Sequence, residues 1–178
     1  MFQVKWGLTA RVASGTVGVV PFRRVLVATD FSACSDRAAE CGLRVAERFG
    51  AEVLFLHVFD VSNLPIISAY PYYYGQVNQQ MVDDMQARAE AALEAFVKKH
   101  GQGRATVERK MVAGRPARQI LEHGVAWRAE LVVMGAHGIG KVRELLGSVV
   151  HAVVRQARCP VLTVPEPAEP EQPEQPEG

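Results

Sequence analysis

Cysteine is scarce and scattered in this chain of 178 residues: Cys34, Cys41 and Cys159 are odd in number and form no CxxC. That spacing argues against a disulfide framework or a zinc site, and reduced thiols fit the cytosol. An excess of charge of either sign is also missing. With 20 Lys and Arg against 19 Asp and Glu, the formal net charge is +1, which gives no electrostatic reason to expect nucleic acid or an anionic membrane as a bulk partner. Long apolar runs are lacking too. None approaches the roughly 18 residues needed to span a bilayer.

What is present suits one globular domain. Apolar residues make up 48% and charged residues 22%, and the length is enough to bury a core. Residues 1–22 read as an N-terminal extension, poorly ordered: Lys5 and Arg11 stand there without an acid, but polar and glycine residues break up any apolar targeting segment. Residues 23–164 form the domain. Residues 165–178, PEPAEPEQPEQPEG, have proline every two or three positions, five glutamates and no base, the composition of a solvated polyproline-like tail. An acidic docking role for that tail is the alternative.

The domain alternates strand and helix. Val25 to Ala28 is an apolar strand ending at Thr29 and Asp30, after which Ser32 or Ser35 can cap a helix. Ala38, Cys41, Gly42, Val45, Ala46 and Phe49 then recur at helical spacing, with Gly50 as the stop. Glu52 to Val58 is a second strand, completing strand, helix and strand within about 35 residues, one βαβ unit. A long connection, Phe59 to Gly75, carries Pro65, Pro71 and Tyr70, Tyr72, Tyr73 and Tyr74; loops of that length cover ligands or interfaces, or are plain surface insertions. A helix from about Val77 to His100 follows, with Met81, Met85, Ala89, Ala92, Leu93 and Phe96 on one face. Ala105 to Val112 is a weaker strand, suited to an edge. Pro116 opens a helix to about Arg128, and Val161 to Val164 is a last short strand.

Chemistry concentrates in Leu131 to Val150, LVVMGAHGIGKVRELLGSVV. Its first four residues form a continuous apolar run suited to a parallel strand covered on both faces. Glycines at 135, 138 and 140 then let backbone approach a ligand and permit positive φ, so that N–H groups can converge on an anion. Gly147 and Ser148 add a second element, with Ser148 as N-cap of a helix whose N-terminus also favours phosphate. The plainer reading is a strand-to-helix turn. GAHGIGK fits the first seven positions of a P-loop, but Val142 replaces the magnesium-binding hydroxyl. His137 is the sole candidate for a general base at the loop, and its neighbours assign it to shaping the turn. His57, His100, His123 and His151 lack ligand-like spacing and read as structural or exposed.

Five strands with four intervening helices predict an α/β fold: a five-stranded parallel doubly wound sheet with helices on both faces, Rossmann-like, in a single domain. Ligands in such sheets sit beyond the carboxyl ends of the strands, where strand order reverses. Asp30 and Gly135 both belong to that edge. If their strands are neighbours, Asp30 receives hydrogen bonds from a base or ribose while the glycine loop and Ser148 hold phosphates.

VLVATDFSACSDRA, AEVLFLHV, the VAGRPA turn, LVVMGAHGIGKVRELLGSVV and CPVLTV together resemble the universal stress protein family over about Arg23 to Val164. The resemblance implies an ATP-binding pattern, G-x2-G-x9-G-[ST], and a cytoplasmic stress-response or regulatory protein without significant turnover. It implies that Ala28, Asp30 and Val58 border adenine, that Met134, Gly135, Gly138, Gly147, Ser148 and Val149 form the nucleotide loop, and that Mg2+ enters through the phosphates. It further implies a homodimer through the last strand, Pro160 to Val164. Between Gly138 and Gly147 this chain has eight residues where the pattern has nine. Lys141 or Arg143 can reach phosphate across the shorter loop. Two other functions compete: a nucleotide-independent dimeric interaction module using the tyrosine loop and tail, and an ATP-hydrolysing enzyme of the wider adenine-nucleotide α-hydrolase group, whose HIGH-type and SGGxDS signatures are missing here.

Overall fold

The computed structural model describes residues 22–60, 79–101, 106–138 and 147–166. The extension up to residue 21, the four tyrosines of the long connection, Gly140, Lys141, Arg143 and the tail from residue 167 lie outside the described residues. In chain order the elements are β1 (Arg24–Thr29), α1 (Ala33–Phe49), β2 (Glu52–Phe59), α2 (Gln79–Gly101), β3 (Val107–Ala113), α3 (Pro116–Ala126), β4 (Leu131–Gly135), α4 (Ser148–Gln156) and β5 (Val161–Val164). The strands form one sheet in the order β3-β2-β1-β4-β5, every neighbour parallel. Strand order therefore reverses between β1 and β4, which pair from Val25 with Leu131 to Ala28 with Met134.

The continuous apolar runs have a simple cause. Side chains alternate across a strand, and both faces of this sheet are covered. Val25, Val27, Val53, Phe55, Leu131 and Val133 face one layer with Ala38, Leu43, Ala46, Leu93 and Phe96 of α1 and α2. Leu26, Leu54, Leu56, Val132 and Met134 face the other with Ile120, Val150 and Val153 of α3 and α4. Each fully buried valine, leucine or phenylalanine contributes about 1.5–3 kcal/mol of transfer free energy, so the three central strands hold the sheet.

Local signals set the ends. Ser32 is the N-cap of α1, its side chain accepting from the Ser35 N–H, and Gly50 closes the helix at φ 66°, a left-handed conformation that favours glycine. Pro116 begins α3. The strand β3 is an edge, as its weaker apolar alternation predicts. One expectation is corrected: the N-cap of α4 is Gly147, and Ser148 is the first helical residue. The reason is a backbone constraint, since the Gly147 N–H donates to Ala136 O at 3.1 Å and fixes the chain one residue earlier than the hydroxyl suggests.

Asp36, in the first turn of α1, joins that helix to the end of α2. Lys99 Nζ donates to Oδ2 at 2.9 Å, and His100 Nε2 meets Oδ1 at 2.7 Å. Burial raises the Asp36 carboxyl, but the bonds and charges of Lys99 and His100 outweigh it and hold it below the usual carboxylate range. A folded-state pKa below the unfolded value of about 3.9 stabilises the native state above that pH, and the contribution is lost as pH falls through the folded value. We expect Asp36→Ala to cost about 2 kcal/mol at pH 7, combining the lost charged bonds with a buried His100 left unpaired, after discount for the exposed Lys99. Urea titrations at pH 7 and pH 3 test this. A deficit of the same size at both pH values would refute the ion-pair account.

Candidate functional site

Beyond the carboxyl ends of β1 and β4 lies a cavity of about 360 Å³. The turn leaving β1 is built by its own hydroxyls. Thr29 Oγ1 bonds Ser35 Oγ at 3.1 Å and accepts from the Phe31 N–H at 3.0 Å. Asp30 Oδ1 accepts from Ser32 N–H at 3.1 Å and from Ser32 Oγ at 2.6 Å. Phe31 takes φ 63°, an uncommon conformation for an aromatic residue and a sign of local strain. Its ring stacks on His57 at 4.3 Å and meets Phe96 at 5.8 Å. Packing thus holds a strained turn that sends the Asp30 side chain to the cavity.

The glycines receive that carboxylate by lacking side chains. A Cβ at Gly138 would lie 2.8 Å from Asp30 Oδ2, and one at Gly135 would lie 2.7 Å from Cys34 Cβ and 3.0 Å from Cys34 C. Positive φ, the other reason expected for these glycines, does not apply: neither Gly135 nor Gly138 adopts it. Close approach is what each position requires. The Gly147 N–H is committed to Ala136 O, and the Ala136 N–H to Val164 O at 2.9 Å, so the loop is tied at its base.

All the site residues expected from sequence except Ser148 line the cavity: Ala28, Asp30, Val58, Met134, Gly135, Gly138, Gly147 and Val149. Ser148 is exposed at the start of α4. Sequence reasoning missed Thr29, His57, Pro116 and Ile120, which line it as well. The signal was there for Pro116, because the VAGRPA turn follows β3 at the same sheet edge. His57, read as structural or exposed, does both jobs: it borders the cavity, and its Nδ1 bonds Thr29 O at 2.9 Å. A carbonyl only accepts, so Nδ1 carries the proton. Burial pushes the His57 pKa down, outweighing the Thr29 bond and the Asp30 charge, which raise it.

Among the described lining residues the charged side chains are carboxylates, Asp30 and Asp60. An anion here would be met by backbone N–H groups and by the N-terminus of α4, where Gly147 and Val149 line the wall. The wall beside Ala28, Leu56, Val58 and Met134 is apolar and suits a flat ring. One end thus offers a carboxylate, the other a helix N-terminus, with an apolar wall between.

Comparison with known proteins agrees with this architecture. A universal stress protein of Methanocaldococcus jannaschii is 33% identical over 150 residues, covering 82% of this chain and 84% of that protein. Among solved structures, universal stress protein UspA from Lactobacillus plantarum has a TM-score of 0.65 at 22% identity, covering 80% of this chain and 97% of that one, a likeness of fold. A universal stress protein solved in complex with cAMP has a TM-score of 0.57 at 25% identity, covering 81% of this chain and 97% of its own. The profile of the universal stress protein family matches residues 21–165, and the chain belongs to that family.

Proposed function

We propose that the protein is a cytoplasmic stress-response or regulatory protein that binds ATP, or a related adenine nucleotide, in the cleft between β1 and β4 without significant turnover. The observation that carries this reading is the approach of Asp30 Oδ2 to Gly138 in the lining of the cavity, where strand order reverses. The solved relative in complex with cAMP supports the adenine nucleotide class. Adenine lies along Ala28 and Val58, ribose beside Asp30, and the phosphates run toward Gly138, Gly147, Ser148 and Val149, with Mg2+ entering on the phosphates. The chains pair through β5, which among the described strands neighbours β4 at the edge of the sheet and leaves Leu162 36% exposed.

Mass spectrometry of freshly purified protein, with calorimetry against ATP and magnesium, tests the reading. We expect one adenine nucleotide per chain, saturable heat, negligible ATP consumption, and sedimentation at twice the 19.5 kDa chain mass. No heat from a folded dimer would overturn the nucleotide assignment, and a folded monomer would overturn the pairing through β5. A nucleotide-independent interaction module is favoured by one observation, the Gly147 N–H already spent on Ala136 O. That reading predicts a folded dimer without bound nucleotide.

A further inference from the structure

His137 has a polar atom that no hydrogen bond among the described residues uses. Its Nδ1 is buried without a hydrogen-bond partner among the described residues, and the residue lines the cavity beside Gly138. An imidazole nitrogen shut away from both water and protein has lost its hydration and gained nothing in exchange. The ligand-free state therefore carries a penalty that a bound molecule able to pair with this nitrogen would remove.

The surroundings decide which group that molecule presents. Gly138, the next residue, sits against Asp30 Oδ2, while both bonds from Ser32 go to Oδ1. Oδ2 is an acceptor with negative charge. A phosphate placed there would be repelled, whereas two neighbouring hydroxyls can donate, one to the carboxylate and one to Nδ1 in the tautomer that leaves it unprotonated. Phosphate is favoured at the other end, where Gly147 and Val149 line the wall at the start of α4.

We infer that His137 is a specificity-determining residue which, together with Asp30, accepts hydrogen bonds from the ribose hydroxyls of a bound nucleotide, so that the site selects ribonucleotides over deoxy analogues. This rests on the nucleotide reading above and assigns a role within it. AMP isolates the base and ribose contributions, so the experiment is calorimetry of the full chain with AMP, 2′-deoxy-AMP and 3′-deoxy-AMP. It compares the unsubstituted protein with His137→Leu and with His137→Asn, whose amide can stand near the position of Nδ1.

The unsubstituted protein is expected to prefer AMP over at least one deoxy analogue by about tenfold. His137→Leu should remove the part of that preference owed to the hydroxyl His137 takes, leaving the part owed to Asp30, and His137→Asn should retain most of it. A preference undiminished in His137→Leu, or none in the unsubstituted protein, overturns the inference and leaves nucleotide binding standing. If the unsubstituted protein binds none of the three, the nucleotide reading fails and this one with it. Should His137→Leu not fold, the imidazole 15N resonance of His137 decides: AMP must shift Nδ1, and an unmoved signal at saturation refutes the contact.

Discussion

Gly135→Ala is expected to lower the unfolding free energy by about 3 kcal/mol, about 10 °C in Tm for a domain of this size. The added methyl would sit 2.7 Å from Cys34 Cβ, 3.0 Å from Cys34 C and 3.2 Å from Ser35 N. Neither side can yield cheaply. Gly135 ends β4, held between β1 and β5, and the first turn of α1 is fixed by the Ser32 cap and the bond from Thr29 to Ser35. Two pieces of backbone therefore have to separate, in a core packed as densely as a crystal. Urea denaturation followed by circular dichroism measures the effect. A loss under about 0.5 kcal/mol would show that the helix can lift from the sheet without cost, contrary to the overpacking argument.

Gly138→Val should have the opposite profile, with stability nearly kept and ligand binding lost. Here the added carbon meets a side chain, Asp30 Oδ2 at 2.8 Å, and that carboxylate can turn only by loosening its bonds to Ser32 N–H and Oγ. The valine methyls would occupy the space in which a ligand approaches the loop. Nucleotide affinity is predicted to fall by at least about 100-fold, near 2.7 kcal/mol, while unfolding changes by about 1 kcal/mol or less. Calorimetry with ATP and magnesium, paired with a urea titration, reads both. Unchanged affinity in the folded variant would move the binding site away from this loop. A collapse in stability equal to that of Gly135→Ala would instead assign Gly138 a structural role.

These two glycines also mark where sequence reading stops. Their number and their position after an apolar strand single out the loop, and the structure brings Gly135, Gly138 and Gly147 to one cavity. The expected reason, positive φ, is not the operative one at Gly135 and Gly138, because a neighbour more than a hundred positions earlier in the chain crowds each of them. Ser148 shows a similar limit. The hydroxyl before an apolar helix signals a cap, yet the Gly147 N–H bond to Ala136 O starts the helix one residue sooner. His57 and Ile120 escaped because their periodicity is that of ordinary core, and only the sheet edge reveals a second use.

The element order, both buried faces of the sheet and the edge position of β3 were determined by the sequence itself. Apolar periodicity and glycine or proline punctuation report local geometry, and local geometry in a βαβ chain leaves few topologies open. Tertiary structure alone decided that the Asp30 carboxylate meets Gly138, that a strained Phe31 aims it there, and that His137 Nδ1 is enclosed without a partner among the described residues. Those are distances between segments far apart in the chain. They are set by strand order and packing, which no local pattern encodes.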